Sequence, residues 1–171
     1  MTTETTDEYA RWKGLEIRRP DEVRTSPGGP VPIGWQAEKR SNHTDRLGNL
    51  ALPHDFPYEV QRGDAGDALA VLALGESIRR DLAYERGGRV LSALELGATW
   101  AQVAAALDVP VDEARALLRG YAEGQHNLYR GDVAEGRARP FGLDDDRHAA
   151  VLALCELGDD ETTDARDGAA L

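Results

Sequence analysis

A single cysteine, Cys155, among 171 residues excludes an internal disulfide. It lies in an apolar run, which suits a small buried residue better than a reactive thiol. Histidine is also scarce. His43, His54, His126 and His148 stand at no spacing that joins Cys155 in a metal-ligand pattern, so no metal site is expected. Aromatics make up only 6% of the chain, so the core must come mainly from Leu, Val and Ala, which suits closely packed helices. No apolar run reaches the roughly 18 residues that span a bilayer. The opening MTTETTDEYARWKGLEIRR lacks the apolar stretch of a signal peptide. A cytoplasmic protein without membrane contact is expected. Neither a phosphate-binding glycine loop nor a nucleophile motif is present, so no cofactor and no enzymatic activity are expected.

Lysine occurs only at Lys13 and Lys39; the other 18 of the 20 basic residues are Arg. The net charge of −11 is unevenly spread. Residues 1–65 and 66–130 are each net −2, whereas residues 131–171 hold four basic and eleven acidic side chains, net −7. Such a chain binds nucleic acid weakly unless a local Arg face dominates, because phosphate neutralisation supplies most non-specific affinity.

Apolar residues over 11–65 show neither a helical nor an alternating period, and SPGGPVP at 26–32, Pro53 and Pro57 punctuate the stretch. Residues 1–65 therefore read as a largely extended or disordered arm. Its Trp12 and Trp35 read as anchors of the arm on a helical body, or alternatively as anchors for a partner. From Asp67 the texture changes. Val71, Leu74, Ile78 and Leu82 recur at helical spacing, which predicts a long helix over 67–86, and this helix is the candidate surface for a homodimer. Gly87 and Gly88 are expected to break or bend it before a further helix carrying Val90, Leu91 and Leu94. GDVAEGRARPFG at 131–142 reads as a loop. LDDDRHAAVLALCELG predicts a last helix, capped by Asp144 or Asp145 and stopped by Gly158. Residues 159–171 read as a disordered acidic tail.

The stretch GATWAQVAAALDVPVDEARALLRGYAEGQ at 97–125 holds two helical patterns around a short break. Thr99 is placed to cap a helix starting at Trp100. Val103 and Leu107 point inward, Ala104 is small enough for close helix crossing, and Val109 closes the turn. Ala114, Leu117 and Leu118 form the inner face of the second helix. His126, taken as the end of that helix, would complement its terminus. On these residues, 99–118 resembles the helix-turn-helix of bacterial transcriptional regulators and of the promoter-binding region of sigma factors, with TWAQVAAALDV especially similar to actinobacterial segments. Where such turns usually have Gly, this chain has Asp108, a residue that tolerates a left-handed backbone better than most.

The resemblance implies a mainly α fold. It would be a bundle of four or five helices over 66–158, with the arm before it and the tail after it. It also implies a small DNA-binding transcriptional regulator. The DNA-facing residues of the second helix would be Val111, Asp112, Arg115, Ala116 and Arg119. Arg115 and Arg119 would read guanine or hold phosphate, Val111 would touch a thymine methyl, and Asp112 would accept from a cytosine amine. Alternatively, the two arginines are surface charges paired with Asp112 and Glu123. The acidic start, Asp112 and Glu113, suits a helix N-terminus but opposes phosphate. The second functional expectation is a protein-interaction module that keeps the scaffold and binds a protein partner through the N-terminal arm or the acidic tail.

Overall fold

A computed structural model describes residues 2–24 and 31–163. Most of the SPGGPVP stretch, and 164–171 of the expected tail, lie outside the described residues. The described chain is mainly helical and contains no strand: α1 Thr2–Gly14, α2 Ile33–Gly48, α3 Ala65–Glu95, α4 Trp100–Leu107, α5 Val111–Ala134 and α6 Asp145–Leu154. Short 3₁₀ turns occur at Pro20–Arg24 and Asn49–Ala51. The chain divides into two compact units, Met1–Ala83 and Tyr84–Leu171, and α3 contributes residues to each. No helix among the described residues is long and apolar enough to cross a membrane.

The N-terminal unit corrects the expectation of an extended arm over 1–65. Two of the six helices lie there, and the unit has its own core of Trp12, Ile17, Val23, Val31, Ala73 and Leu74, with Tyr9 and Trp35 packed against it. The two tryptophans are tied directly, Trp12 Nε1 donating to the Trp35 carbonyl at 3.3 Å. Helix α2 escaped hydrophobic periodicity because its inward stripe is polar. Gln36 and Lys39 are its two buried positions, and His43 and Arg46, three or four residues further along each time, are half-buried, as are Ile33, Trp35 and Leu47 at its ends. Gln36 Nε2 donates to the Val31 carbonyl at 2.9 Å and to Asp81 at 2.8 Å. These bonds let a polar side chain stand where a leucine is usual.

The long helix also differs in detail from its apolar pattern. Its buried stripe in this unit is Asp67, Ala70, Ala73, Leu74 and Ser77, while Leu82 is exposed and Val71 and Ile78 are half-buried. Gly87 and Gly88 do not break it. They lie where α3 meets α5, and a Cβ on Gly87 would fall 2.3 Å from Tyr121 Cβ and 2.8 Å from the Leu117 carbonyl oxygen. Glycine serves close helix approach there rather than helix termination.

The core of the second unit joins Val90, Leu91 and Leu94 of α3, Trp100, Val103 and Ala104 of α4, Ala114, Leu118 and Ala122 of α5, Val151 of α6, and Cys155. Trp100 is fully buried and its Nε1 donates to the Leu154 carbonyl at 2.8 Å. Burial raises the Cys155 thiol above its ordinary pKa. Asp144 caps α6 by accepting from Arg147 N at 2.8 Å, but the helix ends at Leu154, before Gly158. Helix α5 runs to Ala134, so His126 lies within it rather than at its end, and part of the expected loop at 131–142 is helical. The loop after α5 returns along the helix: Leu143 N donates to the Gln125 carbonyl at 3.2 Å, and buried Asp132 accepts from Phe141 N at 2.9 Å and pairs with Arg137 at 3.1 Å.

Residues 159–163, expected to be disordered, are held to this unit. Ala101 N donates to the Asp159 carbonyl at 2.9 Å, and Thr163 Oγ1 donates to the Leu94 carbonyl.

Candidate interaction surface

Helices α4 and α5 are joined by only three residues, 108–110. The first is positioned by its caps. Thr99 Oγ1 accepts from Gln102 N at 3.2 Å and Gln102 Oε1 accepts from Thr99 N at 3.0 Å, a reciprocal box that satisfies two N-terminal amides. Asp108 follows α4 with φ 54° and ψ 48°, the left-handed conformation expected of it. The amide of Val109 then donates to the Ala104 carbonyl at 3.1 Å. Ala104 is buried between the helices. Pro110 precedes the first turn of α5, which carries Asp112 and Glu113 at its electropositive end.

The five residues expected on the outward face of α5 differ sharply in environment. Asp112 is almost wholly exposed, with 96% of its side chain open; Ala116 is exposed and Val111 half-buried. The Arg115 side chain is only 16% exposed. It turns onto its own chain, donating to the Leu157 carbonyl at 2.7 Å and to Asp159 Oδ1 at 2.8 Å, with its guanidinium carbon 5.5 Å from the Trp100 ring centroid. Asp112 is a looser partner at 3.7 Å. Arg119 is half exposed and meets Glu156 at 3.4 Å. Thus both arginines have acidic partners, but apart from the loose Asp112 contact these come from the segment after α6 and not from Glu123. Glu123 instead meets His148 at 3.2 Å. Sequence periodicity places an arginine on a helix face without showing which later segment covers it.

His148 and His126 stack with ring centroids 4.2 Å apart, and His126 Nδ1 lies 3.1 Å from the Leu143 carbonyl. This pair ties α5 to α6. No group of three or more His, Cys, Asp or Glu side chains that could hold a metal occurs among the described residues.

A second constellation lies wholly within the N-terminal unit, where α2, in the segment expected to be extended, meets the start of α3. His43 Nδ1 donates to Asp67 Oδ1 at 2.6 Å, and Arg46 Nη1 donates to the same oxygen at 3.2 Å. The other oxygen accepts from Asp64 N at 3.0 Å. The His43 hydrogen bond, aided by the Asp64 amide and by Arg46, lowers the Asp67 pKa to about 2. Beside it, Lys39 Nζ donates to the carbonyls of Trp12 and Lys13, each at 2.9 Å. The signal that could have exposed this site is the 36, 39, 43, 46 spacing, an inward helical stripe written in polar residues.

Comparison with protein-family models, with curated proteins and with solved structures found no match.

Proposed function

We propose that this chain is a protein-interaction module on a helix-turn-helix scaffold, with an acidic surface as its point of contact. The observation that carries this reading is the position of Arg115, which binds Leu157 and Asp159 of its own chain. The exposed start of α5 therefore presents Asp112 and Glu113 in place of a free guanidinium. Residues 84–163 hold fifteen acidic and eight basic side chains, and such a field opposes a polyphosphate. It suits a basic protein surface. Exposed Leu128, Val133 and Phe141, on α5 and in the loop after it, add apolar contact area of the kind such interfaces use.

A DNA-binding regulator is the second reading. The left-handed turn at Asp108, the capping box at Thr99 and the half-exposed Arg119 favour it. Selection from random DNA at low salt, run beside crosslinked capture of protein partners, separates the two. The interaction reading expects no enriched DNA sequence, and a captured partner that is lost when Asp112→Lys and Glu113→Lys are combined. An enriched sequence whose binding disappears in Arg119→Ala overturns it in favour of the regulator.

A further inference from the structure

The N-terminal unit contains a cavity of about 330 Å³, at the small end of the range for ligand pockets. Its charged lining is unequally satisfied. Among the carboxylates, both oxygens of Glu38 lie 2.6 Å from the Tyr9 hydroxyl, which donates to them. Asp67 takes His43, Arg46 and the Asp64 amide, and Asp64 Oδ1 accepts from Asp67 N at 3.1 Å. Glu16 stands 3.5 Å from Arg18.

The lysines differ. Lys39 is only 8% exposed, yet no carboxylate among the described residues lies within ion-pair distance of it. Two of its three N–H groups go to backbone carbonyls, which leaves one donor over. A buried ammonium without a counter-charge is costly, and here burial and the nearby cations Arg46 and Lys13 hold its pKa below the ordinary value. Lys13 is exposed at the same cavity and forms no ion pair with a described residue; its Nζ lies 5.4 Å from the Tyr9 ring centroid.

Three aromatic side chains share the remaining lining with Leu15, Asn42 and two glycines. Trp12, with Lys39 Nζ 4.8 Å from its ring centroid, lines the cavity together with Trp35 and Tyr9, whose rings lie 5.0 Å apart and tilted by 59°. We propose that this cavity is a binding site for a small aromatic carboxylate, its two oxygens accepting from Lys39 and Lys13 and its ring lying against the half-buried Trp35 and Tyr9. Two ammonium groups match two carboxylate oxygens. A phosphate would call for a denser set of donors, and the cavity's arginines are already engaged: Arg46 with Asp67, and Arg18 with Glu16 and the Ile17 carbonyl. The carboxylate would supply the counter-charge that Lys39 lacks.

Calorimetric titration of the full chain with benzoate and with indole-3-acetate tests this, with benzamide, acetate and inorganic phosphate as controls. The expected result is one saturable site for an aromatic carboxylate. Benzamide lacks the charge and acetate the ring, and each should bind at least about tenfold more weakly, a difference of about 1.4 kcal/mol. Lys39→Met should lose binding by about tenfold or more. Should that variant not fold, Lys13→Met at the exposed mouth decides, with binding weakened about threefold or more. Equal binding of benzamide or phosphate, no saturable site for either carboxylate, or unchanged affinity in a folded Lys39→Met or in Lys13→Met overturns the proposal.

Discussion

Arg115 on the first turns of α5 holds Asp159, 44 residues later, through a 2.8 Å hydrogen bond, and holds the Leu157 carbonyl at 2.7 Å with the same nitrogen. Its buried Nε has no partner, so the side chain is committed by its tip alone. Arg115→Ala removes both bonds and strands a carbonyl. It should cost about 1–3 kcal/mol of stability, seen as a lower melting temperature. Arg119→Ala, at a half-exposed ion pair, should stay within about 0.5 kcal/mol. Equal effects would show that Arg115 is not the clamp.

Asp108 adopts φ 54°, and among the described residues it alone has a positive φ without being glycine. Asp108→Gly removes the steric penalty of Cβ and should stabilise the chain by up to about 1 kcal/mol in chemical denaturation. A lower midpoint in the Gly variant would count against this turn geometry.

Two glycines of the second unit should respond oppositely to alanine. A Cβ on Gly87 would strike Tyr121 and the Leu117 carbonyl, so Gly87→Ala should cost about 1–3 kcal/mol through overpacking. Gly120 has nothing within 4 Å of its Cβ position on a helix. Gly120→Ala should therefore stabilise by about 0.5–1 kcal/mol. Thermal melts of the pair check this, and the same sign in both would contradict the α3–α5 approach at Gly87.

Asp67 carries a pH dependence whose sign follows from its lowered pKa of about 2. The stabilisation is fully present above the unfolded carboxylate value, roughly 3.9, and is lost as pH falls through the folded value. The stability advantage over Asp67→Asn should be full at about pH 5 and shrink steadily toward about pH 2. Denaturant titrations at several pH values measure it. An advantage that does not change with pH would mean that ionisation of Asp67 is not what holds His43 and Arg46.

Local chemistry alone determined much of the second unit. Thr99 ahead of an apolar run, Asp108 at the break and Asp144 before α6 act through backbone groups within a few residues of themselves, so their roles are legible in the one-dimensional order. The mainly α class followed from the same kind of local pattern. Only tertiary structure decided the rest, because those outcomes depend on groups distant along the chain. Helix α2 turns a polar stripe inward, stabilised by Asp67 and by carbonyls of Trp12, Lys13 and Val31, so hydrophobic periodicity could not reveal it. Gly87 reads as a helix breaker until Tyr121, 34 positions later, occupies the space of its missing side chain. Arg115 reads as a free cation until the segment after α6 folds back over it. A side chain's type sets which bonds it can make, but the fold decides which partner arrives first and whether water or a ligand still has access.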